Sequence, residues 1–229
     1  MSRSSLLRFP FRCLWKAIRE LRNAYLTSFV TVKGAGARVS VTDPFLPVTI
    51  KMAKGASFVL EGQLTFDSWL GARQRVYIEL GEGSNLTVAG DFSIGNGCRI
   101  NVSPGAQLHI GGRLKESASG ITERSLILVR RRVTIGKDFI CAWEVFITDC
   151  DWHEMIGACN TEDTLIGDHV WVAPKCSILK GSRIGNGCII ATGAVTHKTS
   201  FGDGCLLGGM PARILDRDRE WARDLQPLA

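Results

Sequence analysis

The chain has 229 residues, with 28 Lys and Arg against 22 Asp and Glu, a formal net charge of +6 and 45% apolar residues. That suits one soluble domain with appendages and a sizeable buried core, and no apolar run reaches the ~18 residues of a membrane-spanning helix. The eight cysteines match no zinc or redox spacing, so neither disulfides nor a metal site is expected, and the positive balance favours anionic partners such as lipid headgroups, phosphates or acidic glycans.

The opening "MSRSSLLRFPFRCLWKAIRE" is basic but has no continuous apolar block ending in a small-residue cleavage site. It is a poor signal peptide, and the cytoplasm is the expected location. Residues 12–26 put Leu14, Ile18, Leu21 and Tyr25 on one helical face, with Arg12, Lys16, Arg19 and Arg22 around the rest. Two readings follow for this 1–32 segment. Its helix caps the next domain or packs on a neighbouring subunit, or residues 3–26 rest on anionic membrane at its inner face.

A loose repeat comes next. "GASFVLEGQLTF" (55–66), "GSNLTVAGDFSI" (83–94) and "GAQLHIGGRL" (105–114) share alternating apolar places interrupted by glycine, the pattern of strands separated by turns. From Val129 the beat tightens to six. First places are Val129, Ile135, Cys141 and Ile147, then Ile166, Val172, Ile178, Ile184, Ile190 and Thr196. Fifth places are Val133, Phe139 and Val145, then Val170, Cys176, Ser182, Cys188 and Ala194. Six residues suit a short strand and a corner. Three such units close a triangular coil, and stacked coils form a parallel β-solenoid over 33–213. Cys98, Cys141, Cys176 and Cys188 fall on inward beats as small apolar fillers. The tail, 214–229, is expected to form a short charged cap helix containing Trp221.

The beat fails within "ITDCDWHEMIG" (147–157). Continued hexads would place Asp151 and His153 inside, where an unpaired carboxylate is strongly unfavourable. Ile147 to Ile166 also spans 19 residues, one more than three hexads need. The chain is therefore expected to leave the coil near 149 and return near 165, displaying Asp149, Asp151 and His153. A buried Asp–His pair serving structure alone is the other reading. Downstream, "HVWVAPKCSILKG" carries Trp171, and the last coil runs "IATGAVTHKTSFGDGCLLGGMPARIL".

These motifs resemble the hexapeptide-repeat acyltransferases, most clearly over about 80–213 and more weakly back to about 50, and among them the sugar and polysaccharide O-acetyltransferases. The resemblance implies an all-β, left-handed parallel β-helix; the handedness comes from the family alone, since general connection rules favour right-handed crossovers. It implies that His153 is the general base for an alcohol attacking a thioester, with Asp151 or Asp149 fixing its tautomer. Trp171 would line the acceptor or pantetheine channel or merely cover the coil, and Trp152 and Trp143 are substrate platforms or surface cover. Ala191 and Gly193 would border pantetheine, with Lys198 and Arg213 near the nucleotide phosphates. Gly202 stands where the family often has proline, and one extra residue precedes Pro211, so this loop is expected to differ.

His109, His169 and His197 are expected to be structural or solvent-facing, Arg130, Arg131 and Arg132 to form a solvated corner, and the four histidines make no compact metal-ligand set. The implied activity is acetyl-CoA-dependent O-acetylation of a sugar in a surface polysaccharide or its lipid-linked precursor, by a homotrimer with sites between subunits. N-acylation of an amino sugar or nucleotide sugar, and a non-catalytic assembly solenoid, remain as alternatives. No nucleic-acid partner is expected.

Overall fold

A computed structural model describes residues 8–113 and 119–224, without the side chains of residues 8–12 and Trp69. Among these residues the chain winds through three sheets of eight, nine and seven strands. It is a three-sided parallel β-helix. The six-residue beat explains the geometry. Successive first places fall on successive sides, and every third one returns to the same ladder. Ile135, Ile166, Ile184 and Phe201 stack on the first sheet. Ile94, Ile121, Cys141, Val172, Ile190 and Leu207 stack on the second. Ile100, Ile127, Ile147, Ile178 and Thr196 stack on the third. All these side chains, and all the fifth places from Val133 to Ala194, are buried. Full burial of one aliphatic side chain contributes about 1.5–3 kcal/mol.

The looser upstream repeats pair with one another: Ser57–Leu60, Asn85–Val88 and Gln107–Gly112 are consecutive strands of the first sheet. The glycines that follow first-place isoleucines have a steric cause. At each corner an Asp or Asn of the next coil accepts a backbone N–H of the coil before it: Asp168 from Lys137 (2.7 Å), Asn186 from Asp168 (2.8 Å) and Asp203 from Asn186 (2.7 Å). A Cβ on Gly136 would lie 2.4 Å from Asp168 Oδ1, and one on Gly185 2.5 Å from Asp203 Oδ1.

The N-terminal helix spans Arg8–Thr27 and covers the open edge of the second sheet. Asn23 Oδ1 accepts the N–H of Val41 (2.9 Å), Thr27 Oγ1 accepts that of Val39 (3.2 Å), and Leu26 is buried. An exposed sheet edge would otherwise leave those amides open to another strand. The capping reading therefore holds for this helix, but the row picked out by periodicity faces outward. Leu14, Leu21 and Tyr25 are exposed, whereas Trp15 packs edge-on against Phe45. Residues 3–7 of the segment expected at a membrane lie outside the described residues.

The expected cap helix over 214–229 does not form within 214–224. Arg213–Asp216 is a strand antiparallel to Leu206–Gly208, and the chain then runs on without helix. Asp218 takes a left-handed φ of 58°, and Trp221 is tied to His169 by two hydrogen bonds. Tertiary pairing thus overrides local helix propensity. Residues 225–229 lie outside the described residues.

Phe146–Thr148 ends one strand and Thr164–Ile166 begins the next, so the chain leaves and rejoins the coil where the broken beat implied. The expectation that Asp149 is displayed is corrected, however. Asp149 is fully buried. Its Oδ1 accepts the N–H of Arg130 (2.7 Å), and its Oδ2 those of Arg131 (2.7 Å) and Arg132 (2.6 Å). Three charge-assisted bonds offset the desolvation of the carboxylate. The arginine triplet is a corner, as expected, but its amides bind that carboxylate, and Arg131 and Arg132 pair with Asp163 at 3.0 and 3.7 Å.

Two measurements test this arrangement. Asp149→Ala leaves buried amide donors without partners and should cost on the order of 3 kcal/mol in denaturant unfolding, with Asp149→Asn costing less because it keeps an acceptor. Alkylation of the native protein followed by mass spectrometry should modify Cys13 and Cys159 first, since both are exposed and the other six thiols are buried. Burial pushes the Cys98 thiol up to about 12, which keeps it protonated and unreactive.

Candidate functional site

The 149–163 loop is a braced excursion from the coil. Cys150 bridges Thr161, Asp151 N–H donates to the Asn160 carbonyl (2.9 Å), and Glu162 N–H donates to the Asp149 carbonyl (3.0 Å). These bonds hold the outgoing and returning legs together. On the outgoing leg, Trp152 adopts a left-handed φ of 63°. Its indole N–H donates to Thr148 Oγ1 (3.0 Å), and its backbone N–H approaches Cys150 Sγ at 3.2 Å. The next residue, His153, is exposed. Trp152 thus anchors the turn that projects the imidazole, a role sequence reasoning did not assign to it.

Neither aspartate orients that ring. Asp149 is taken by the three amides, and Asp151 forms an ion pair with Lys180. The expected carboxylate–histidine pair is replaced by a carboxylate–ammonium pair below the loop. Lys180 is 2% exposed and also donates to the Cys159 carbonyl at 2.7 Å. It was missed because it occupies an ordinary outward place of a hexad, and only the loop above it makes that place interior.

Lys198 lies on the same edge of the solenoid, at the corner between Val195–Thr196 and Ser200–Phe201. Its ammonium pairs with Glu162 of the loop at 2.8 Å. That hydrogen bond raises the lysine's pKa and lowers the carboxyl's. Ala191 and Gly193 sit at a different corner, after Ile189–Ile190. Gly193 has a φ of 72° and open space where a Cβ would point. Arg213 is exposed at the start of the final strand. The structure therefore brings Lys198 to the His153 edge and leaves Ala191 and Gly193 apart from it.

The second sheet carries a groove of about 450 Å³ whose lining includes Asp67, Ser93, Thr122, Trp143, Trp171 and Trp221. Small residues deepen it. A Cβ at Gly95 would lie 1.1 Å from the Thr122 carbonyl oxygen. Trp171 is 39% exposed and tilts towards Trp221, with ring centroids 6.1 Å apart. Trp221 stacks on His169 with centroids 4.0 Å apart. The indole N–H donates to the His169 carbonyl (3.0 Å), and the Trp221 carbonyl accepts from His169 Nε2 (3.1 Å). His169 is thus structural, as expected, although its partner lies 52 residues away and no spacing signals it. Trp143 and Trp171 share this groove, while Trp152 belongs to the loop at another edge. Within one chain, His153 and Trp171 leave from different sheets.

Among the described residues no group of three or more His, Cys, Asp or Glu is arranged to hold a metal ion, and no helix is long and apolar enough to cross a membrane. His109 alternates outward in its strand and His197 is exposed at a corner.

Residues 163–198 match the family model described as bacterial transferase hexapeptide (six repeats). The chain is 28% identical over 103 residues to "Putative acetyltransferase YvoF" of Bacillus subtilis (strain 168), covering 45% of this chain and 58% of that protein. It is 27% identical over 99 residues to "Putative lipopolysaccharide biosynthesis O-acetyl transferase WbbJ" of Escherichia coli (strain K12), covering 37% of this chain and 50% of that protein. The matches thus span about half the length of these curated relatives. Two solved structures align at 21% identity: the polySia specific acetyltransferase NeuO, with a TM-score of 0.46 over 86% of this chain and 90% of that one, and the polysialic acid O-acetyltransferase OatWY, with 0.49 over 84% and 93%. Residues 163–198 thus carry the hexapeptide repeat of that family model, within the three-sided parallel coil that the six-residue beat builds.

Proposed function

We propose that the chain is an acetyl-CoA-dependent O-acetyltransferase acting on a sugar hydroxyl of a surface polysaccharide or its lipid-linked precursor, with His153 as general base. One observation carries this reading. The solenoid interrupts its ladder to hold an exposed imidazole on the outgoing leg of a loop braced by a buried carboxylate and a buried ammonium. Structure alone does not require such a group. The likeness to a protein named as a lipopolysaccharide O-acetyl transferase favours a hydroxyl over an amine, and a glycan over a small metabolite.

In this mechanism the thioester supplies the activated acyl group, and the chain supplies the base and the alignment. Neutral His153 accepts the acceptor's hydroxyl proton as that oxygen attacks the thioester carbonyl. The tetrahedral adduct then collapses, the carbon–sulfur bond breaks, and the thiolate takes up the proton to leave as coenzyme A. A base near neutral pKa contributes about 10²–10⁴-fold, and holding both reactants in register adds to this. Exposed Lys198 and Arg213 suit the phosphates of the donor, and the open backbone at Gly193 suits its narrow pantetheine arm. The aromatic groove around Trp143 and Trp171 suits a sugar's apolar face. Because it opens on a different sheet from His153, a closed homotrimer is the arrangement that sets the groove of one subunit beside the loop of the next.

The outward row Leu14, Leu21 and Tyr25, on a helix that also carries Lys16 and Arg19, rests on an anionic lipid surface. That would keep the enzyme beside a lipid-linked acceptor, on the cytoplasmic face.

His153→Ala should lower coenzyme A release from acetyl-CoA by about 10²–10⁴-fold, with alkali-treated lipopolysaccharide as acceptor, while leaving the unfolding midpoint unchanged. Near-normal turnover would end the mechanism. An alkali-stable product would indicate N-acylation instead, and no coenzyme A binding by calorimetry would favour a non-catalytic solenoid. Sedimentation with vesicles containing phosphatidylglycerol should retain the wild-type chain and lose most of the Leu21→Glu variant, with binding weakened at high salt.

A further inference from the structure

We infer that Lys180 is the positioning residue of the His153 loop, and that Asp151 serves as its counter-ion and not as a partner of the imidazole. The inference rests on the catalytic reading of His153 and extends it to a residue with no contact to the reacting atoms.

Lys180 belongs to the coil that follows the loop, two residues after Ser177–Ile178. That strand sits directly on Phe146–Thr148, the strand from which the loop departs, so the lysine comes up beneath the excursion. Its side chain is 2% exposed. A buried ammonium is tolerated only with compensating partners, and both partners shown belong to the loop. Asp151 lies on the outgoing leg and the Cys159 carbonyl, at 2.7 Å, on the returning leg. One cation therefore grips both legs of the hairpin, with His153 two residues beyond one grip.

The surroundings fix the lysine itself. The Lys180 carbonyl accepts the N–H of Lys198 (3.0 Å), and the Gly181 N–H donates to the Glu162 carbonyl (3.2 Å). The Glu162–Lys198 pair at 2.8 Å adds a second tie between the loop and the coil beyond. The loop is thus fastened from below by two successive coils. Hydrogen bonds within the loop alone would let it rotate as a unit about its two ends, and the Lys180 clamp removes that freedom. A displacement of about 1 Å at a catalytic group costs on the order of 10²-fold in rate, so such a clamp acts on turnover and not on donor binding.

Three measurements on the full chain decide the matter. Turnover is read as coenzyme A release from acetyl-CoA, both with alkali-treated lipopolysaccharide and as the slow acceptor-free transfer to water. Lys180→Met should lower kcat about 10²-fold, with KM for acetyl-CoA within about twofold. Hydrogen exchange should rise at the loop amides of Asp151 and Glu162 and stay unchanged along the Ile135–Ile166–Ile184 ladder. Asp151→Asn should lower kcat in the same way, and the double variant should be no worse than Lys180→Met, because the two changes remove one interaction.

Loop exchange that rises while kcat holds would overturn the inference, as would a loss confined to KM or additive effects in the double variant. Should Lys180→Met fail to fold, Asp151→Asn decides by the same two readouts. If His153→Ala keeps full turnover while Lys180→Met loses it, the general-base reading has failed and the clamp acts on some other group.

Discussion

A single coil of this chain cannot exist alone. Its inward residues have no dry surface until another coil stacks on them, and its outward-pointing amides have no acceptors until the next coil supplies carbonyls. Ile184, for example, is buried only because Ile166 and Phe201 lie above and below it. Apolar burial and inter-coil hydrogen bonding therefore form together, and each repeat depends on its neighbours. The ends and the interruptions need separate solutions for the same reason.

Those solutions are polar. At one end, Asn23 and Thr27 of the helix satisfy amides of the outermost strand of the second sheet. At the other, Arg213–Asp216 folds back antiparallel and closes the last coil with a strand. In between, the 149–163 excursion opens a gap in the wall, and two charges fill it. Asp149 binds the corner amides of the preceding coil, and Lys180 of the following coil binds the loop from beneath. An aliphatic filler could occupy the same volume but could not tie a loop to a fixed direction. Directional, charge-assisted bonds do so, and they turn a defect in the repeat into a rigid platform for His153.

The candidate site residues are spread over surfaces that face apart. His153 and Lys198 share one edge, and Trp143, Trp171 and Trp221 line a groove on the second sheet. The tail contributes to that groove through the stacked His169–Trp221 pair. A solenoid with flat sides presents each chemical group on a separate face, and symmetric association is the economical way to bring two faces together.

The sequence by itself determined the coil and the place where it breaks. Inward side chains recur every six residues, so a list of apolar positions maps directly onto three ladders, and the 19-residue gap between Ile147 and Ile166 marks the excursion and its histidine. Only the tertiary structure decided what the polar residues do. Asp149 binds amides of residues 130–132, Asp151 binds Lys180, and Trp221 binds His169. Each contact joins different coils or reaches from the tail to the wall, and none is encoded by local spacing. The same holds for the tail, whose composition suggested a helix until pairing with Leu206–Gly208 drew it into a strand. Burial follows a period that a sequence displays, whereas a hydrogen bond depends on which segments meet, and folding alone brings them together.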